Sequence, residues 1–217
     1  MTEITPNRLS REVVRGSRWP WMESIDRVPV TVQAAGRWDR IGQRLLGLCC
    51  SVACPPELRE RAIQAAANLR DAGIAVISGF HSPVEKECLT ILLQGQQAVL
   101  ICPARSIEGM KMRGALEAAM DTGRILILSP FPSQFRRPTA AAAAHRNQFI
   151  SAAADDFFVP FASPGGKAER LAQDVAVSGK LLFTLDSPLN AGLLALGARR
   201  LQEETAAGEI AMARLGH

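Results

Sequence analysis

The chain has 217 residues, 47% of them hydrophobic and 21% charged, with a net charge of +4 and a pI near 9.0. That length suits one well-buried domain with an N-terminal extension. No apolar run reaches the roughly 18 residues a membrane span needs. The opening MTEITPNRLSREVV lacks the basic-then-apolar order of a secretion signal, so a cytoplasmic protein is expected.

Cysteines at 49, 50, 54, 88 and 102 are odd in number and mostly sit in or beside apolar runs, which marks them as reduced, small core residues. They lack paired C-x-x-C spacing, and with three histidines no metal site is expected. Only four of the 25 basic residues are lysines. Arginine suits bidentate phosphate contacts, although an Ala- and Arg-rich genome would give the same bias. The charge permits an anionic partner without requiring one.

In chain order, residues 1–18 read as a polar, Arg-rich tail with no packing face. Residues 19–44 read as an extension with a short edge strand at Val28–Val32, its tryptophans (Trp19, Trp21, Trp38) covering one edge of the core. From residue 45 to 217 strands and helices alternate. Leu45–Cys50 is a strand; Glu57–Asp71 an amphipathic helix with Leu58, Ala62, Ala65, Ala66 and Leu69 on one face; Ile74–Ile77 a second buried strand. Helix Pro83–Leu93, strand Ala98–Cys102, helix Glu108–Thr122 and strand Ile125–Leu128 follow. Beyond the proline-rich loop Ser129–Pro138, Thr139 caps a helix over Ala140–Ala154. Strand Phe157–Val159, helix Gly165–Val177, strand Leu181–Thr184 and a helical C-terminus from Asn190 complete the chain. Such alternation specifies an α/β fold, Rossmann-like and doubly wound, its mostly parallel sheet flanked by helices.

Each strand is followed by a small, polar or proline-containing turn. In a parallel sheet these turns share the carboxyl edge, where open α/β folds bind ligands and helix N-termini favour phosphate. Four groups of candidate ligand contacts lie there. Ser51, Ser78, Gly79 and Arg105 occupy the first three turns. Gly165, Gly166 and Lys167 open a helix in a way that lets backbone approach an anion, but their spacing matches neither a P-loop nor G-x-G-x-x-G. Arg136 and Arg137 are interleaved with Phe131 and Phe135, a mixture that suits single-stranded nucleic acid; the same residues also fit an exposed loop. Arg146 and Asn147 follow that loop on the next helix. His81 beside serine lacks the G-x-S-x-G context of a hydrolase and reads as packing or a ligand contact.

From about Trp19 to Ala198 the chain resembles the Rossmann-like domain of the DNA-processing protein A (Smf) family. The resemblance is carried by Trp19-Pro20 before Val28-Pro29-Val30, Ile77-Ser78-Gly79, and Gln94-Gly95 ahead of Ala98–Ile101. Arg146-Asn147-Gln148-Phe149-Ile150 is similar to its Arg-Asn-Arg-Ile-Ile motif, and Asn190-Ala191-Gly192 to its closing Asn-x-Gly turn. The resemblance implies a homodimer that binds single-stranded DNA, loads a recombinase, acts in recombination, DNA uptake or protection, and needs no cofactor. It implies a DNA contact for Arg146 and a positioning role for Asn147. Cys50-Ser51-Val52 stands where the family has Gly-Ser-Arg, and Phe80-His81-Ser82 where it has Gly-Ile-Asp.

Pro164-Gly165-Gly166 with Glu169 partly resembles the Pro-Gly-Gly-x-Gly-Thr-x-x-Glu motif of the lysine-decarboxylase-like phosphoribohydrolases. A nucleotide-binding protein or phosphoribohydrolase is therefore the alternative reading, and a scaffold with an empty crevice a third. Nucleic-acid binding is preferred over catalysis because the order of the motifs fits it best.

Overall fold

The computed structural model describes residues 7–10, 31–37 and 44–216. Its strands are β1 (Asn7–Ser10), β2 (Thr31–Gly36), β3 (Leu46–Leu48), β4 (Val76–Ser78), β5 (Val99–Ile101), β6 (Ile125–Ser129), β7 (Asp156–Phe158), β8 (Leu182–Leu185) and β9 (Arg199–Leu201). Its α-helices are α1 (Pro56–Asp71), α2 (Pro83–Leu92), α3 (Ala115–Asp121), α4 (Ala140–Ala153), α5 (Lys167–Val177), α6 (Ala191–Ala195) and α7 (Ala206–Leu215). The strands form one sheet in the order β1-β2-β6-β5-β4-β3-β7-β8-β9. β6 through β9 run parallel, whereas β1–β2 and β2–β6 pair antiparallel. This is the expected Rossmann-like α/β fold. The chain winds outward from β3 through β6, then returns to β7 on the other side of β3, so the switch point lies between β3 and β7.

Alternation along the strands divides the core into two layers. Leu46, Leu48, Val76, Val99, Ile101, Ile125, Ile127 and Phe158 pack with α1, α2 and α7, while Ile77, Leu100, Leu126 and Phe157 pack with α4 and α5. Every residue of β3 through β8 is buried, which is why these strands read as continuous apolar runs. Gly47 in β3 lies under the Phe157 ring, which a Cβ would meet at 2.5 Å.

Local signals fix the helix starts. Pro56 opens α1, and Ser82 caps α2 in a capping box with Glu85. The Thr139 hydroxyl accepts the Ala142 N–H at the start of α4.

Four elements differ from the sequence expectation. Asn7–Ser10, inside the expected tail, pairs with β2 as β1; such a ladder needs backbone groups alone. β2 starts at Thr31 and has a strand on each side, so it is not an edge. Helix α3 begins at Ala115 rather than Glu108, because Gly109 and Gly114 take positive φ (68° and 57°) and interrupt helical backbone. Arg199–Leu201, expected as helix, is the edge strand β9. Trp19, Trp21, Val28–Val30 and Trp38 lie outside the described residues.

Candidate functional site

At the carboxyl ends of β4, β5 and β6 lies a crevice of about 430 Å³. Its lining includes Gly79 and His81 after β4, Pro103, Ala104 and Arg105 after β5, the first turn of α4 (Thr139, Ala140, Ala143), Arg146 and Lys167. Among the described residues no carboxylate lines it. The crossover from β6 to β7 carries α4 over β4, and this brings Arg146 to the end of that strand.

Arg146 is 6% exposed. Its Nε donates to Asn147 Oδ1 at 2.8 Å and its Nη1 to the Cys102 carbonyl at 3.2 Å. Among the described residues no carboxylate lies within ion-pair distance of it, and Nη2 has no acceptor. A buried guanidinium without a counter-ion is costly, by several kcal/mol when nothing compensates it. Two neutral acceptors supply part of the compensation, and Nη2, which is not a buried atom, is left open to solvent. Arg105 is half-buried and Lys167 exposed, and neither side chain has a hydrogen-bond partner among the described residues. The N–H groups in the first turn of the 14-residue α4 add a positive dipole end. Among the described residues the crevice therefore has cations and no anion.

The floor is built by internal hydrogen bonds. Ser78 is fully buried, and its hydroxyl accepts the Phe80 N–H. Phe80 takes φ +46°, a left-handed conformation that disfavours a bulky residue, in the turn where the family resemblance has glycine. Its buried ring offsets that cost. Buried Glu85 accepts N–H groups from Cys50, His81 and Ser82, which ties the end of β3 to the start of α2. Burial raises the Cys49 thiol far above its ordinary range and pushes Cys88 and Cys102 up to about 12. Cys54 is lowered, first by its hydrogen bond with Cys50. All five cysteines are free.

The structure thus brings Gly79, Arg105, Arg146 and Lys167 together, with Ser78 beneath and Asn147 behind Arg146. Ser51 is used elsewhere: its hydroxyl accepts the Ser163 N–H at 2.9 Å and joins the loops after β3 and β7. Gly165 and Gly166 do not offer open amides. The Gly165 N–H donates to Glu169 Oε2 at 2.7 Å and the Gly166 N–H to the Ser163 carbonyl. Glu169, central to the phosphoribohydrolase alternative, is thereby engaged at its own helix start. Arg136 and Arg137 are exposed outside the crevice. Of the two interleaved aromatics Phe131 is buried and Phe135 half-buried; their rings stack at 5.0 Å, and Phe131 meets His145 edge-on at 5.5 Å. The sequence marked Arg146 on α4 but not the first turn of that helix (Thr139, Ala140, Ala143) as crevice wall, although Thr139 as an N-cap was a signal for it.

Among the described residues no cluster of three or more His, Cys, Asp or Glu could hold a metal, and no helix is long and apolar enough to cross a membrane.

Residues 13–208 match the family model of DNA recombination-mediator protein A. Among solved structures, DNA processing protein A from Streptococcus pneumoniae aligns at a TM-score of 0.77 and 15% identity, covering 94% of this chain and 74% of that one. The protein of that name from Helicobacter pylori, described for its single-stranded DNA binding mode, aligns at 0.74 and 18% identity, covering 97% of each chain. A molybdenum cofactor binding protein from Rippkaea orientalis aligns at 0.58 and 11% identity, over 80% of this chain and 98% of that one. No curated protein matches.

Proposed function

The chain belongs to the DNA recombination-mediator protein A family, and from that premise we propose that it binds single-stranded DNA in the crevice at the carboxyl edge of its sheet. It is a DNA-processing protein of recombination and uptake; the strand and its mode of binding are the proposal. The observation that carries it is Arg146, a buried guanidinium with no carboxylate partner, facing a cavity that also holds Arg105 and Lys167. Three cations suit the repeated phosphates of a flexible strand better than one small anion. Arg136 and Arg137, exposed on the loop that leads into α4, extend the contact beyond the crevice. Asn147 holds the Arg146 fork through Nε.

The protein then works as a homodimer in the cytoplasm and passes its strand to a recombinase, without cofactor or catalysis. The family resemblance supports these parts of the reading. The internal engagement of Glu169 speaks against the phosphoribohydrolase alternative.

The test is fluorescence anisotropy of a labelled single-stranded oligonucleotide, titrated at low and physiological salt. Neutralising phosphates on a single strand gives a slope of about −0.7 per contact in log affinity against log salt, so the three crevice cations predict roughly −2 and all five cations roughly −3.5. Arg146→Ala is expected to bind more weakly while remaining folded. Binding that ignores salt, or an Arg146→Ala protein with full affinity, overturns the reading.

A further inference from the structure

We propose that Gln33, an uncharged residue outside the crevice, is a positioning residue that holds Arg105 toward the bound strand. The proposal rests on the DNA reading above.

Gln33 lies on β2, in register with Ser129 of β6, and is 5% exposed. Its Oε1 accepts the Ser106 hydroxyl and the Ile107 N–H, each at 2.9 Å, and its Nε2 donates to Ser133 Oγ at 3.1 Å. One buried amide thus ties the loop after β5 to the loop after β6. Neighbouring bonds complete the knot. Ser129 Oγ donates to the Arg105 carbonyl at 2.8 Å, and the Ser106 N–H donates to the Phe135 carbonyl at 2.7 Å.

Arg105 therefore stands in irregular backbone whose following two residues are held by Gln33. Loops open at far lower cost than strands unless such buried bonds restrain them. A binding group is only as well placed as the residues that support it. Arg105 has no side-chain partner of its own among the described residues, so its reach is set by this backbone. The strand that supplies Gln33 precedes the parallel core, which gives the N-terminal part of the chain a role at the site.

The discriminating measurement is the salt slope, because it counts charged contacts and Gln33 carries no charge. Gln33→Met keeps the volume and removes the amide. Loss of a charge-assisted contact predicts about tenfold weaker binding and a slope shallower by about 0.7, in Gln33→Met as in Arg105→Ala. The double variant is expected to bind no more weakly than Arg105→Ala. Should Gln33→Met fail to fold by circular dichroism, Ser106→Ala cuts one of the same three bonds and takes its place in the cycle. An Arg105→Ala loss not matched by a folded Gln33→Met, or losses that add in the double variant, overturn the role of Gln33 alone. An Arg105→Ala protein with full affinity overturns the placement of the strand at Arg105, and the Gln33 role with it.

Discussion

The guanidinium of Arg146 lies against the backbone of Gly79, where any side chain would have to be. A Cβ on Gly79 would meet Arg146 Nη1 at 1.7 Å and Cζ at 2.3 Å. Gly79 is not in the left-handed region, so its importance is space rather than backbone freedom. The glycine at the end of β4 is what lets a cation from α4 cross onto the sheet edge.

Gly79→Ala should therefore act through Arg146. The arginine has to move, and the bond to the Cys102 carbonyl is lost. A destabilisation of about 1–2 kcal/mol is expected, together with a loss of single-strand affinity as large as that of Arg146→Ala. Urea unfolding and anisotropy check the two halves. Full affinity in a folded Gly79→Ala protein would show that the position of Arg146 does not matter.

Asp156 provides the opposite case, stability without the site. It is fully buried at the start of β7, where Oδ2 receives Arg214 Nε at 2.7 Å and Oδ1 receives Arg44 Nη2 at 3.0 Å. This pairing ties α7 to the amino end of the sheet, away from the crevice. Asp156→Ala is expected to cost about 3 kcal/mol, the low end for a broken buried pair because Arg44 stays partly in solvent. The folded variant should bind single strands as the wild type does. A specific loss of affinity would sink the assignment of the site to the carboxyl edge.

Acid should loosen the same helix through a different pair. Arg61 on α1 makes a bidentate contact with Glu203 just before α7, at 2.8–2.9 Å, and its hydrogen bond holds the Glu203 carboxyl below the ordinary glutamate range. The folded value lies below the unfolded one, so the native state binds fewer protons. The contribution is complete above the unfolded value and is lost as pH falls through the lowered folded value. Glu203→Gln is predicted to be less stable at neutral pH and to have a flatter acid limb, the two curves converging in acid. Denaturant titrations from pH 7 down to about 3 check this, the range over which a paired carboxylate takes up its proton. Parallel curves would assign the acid response to other groups.

Most of the fold could be read along the chain. β3 through β8 are buried on both faces and so appear as apolar runs; α1 opens on Pro56, and α2 and α4 carry their caps, Ser82 and Thr139, at their starts. β9 could not be read that way. Arg199 and Arg200 are exposed on a three-residue edge, and only pairing with β8 makes them a strand. The site divides similarly. Turn residues at the carboxyl edge marked the neighbourhood of Gly79, Arg105 and Lys167.

The doubly wound sheet, the family and the sheet edge at which the site is proposed can be read from the chain alone, because burial periodicity, caps and motif order are local properties. Tertiary packing, by contrast, sets the burial of Arg146 over Gly79, the bond of Ser51 to Ser163 and the bonds of Gln33 to Ser106 and Ile107. Those residues are distant along the chain, and their partners are set by how strands and helices stack rather than by any periodicity.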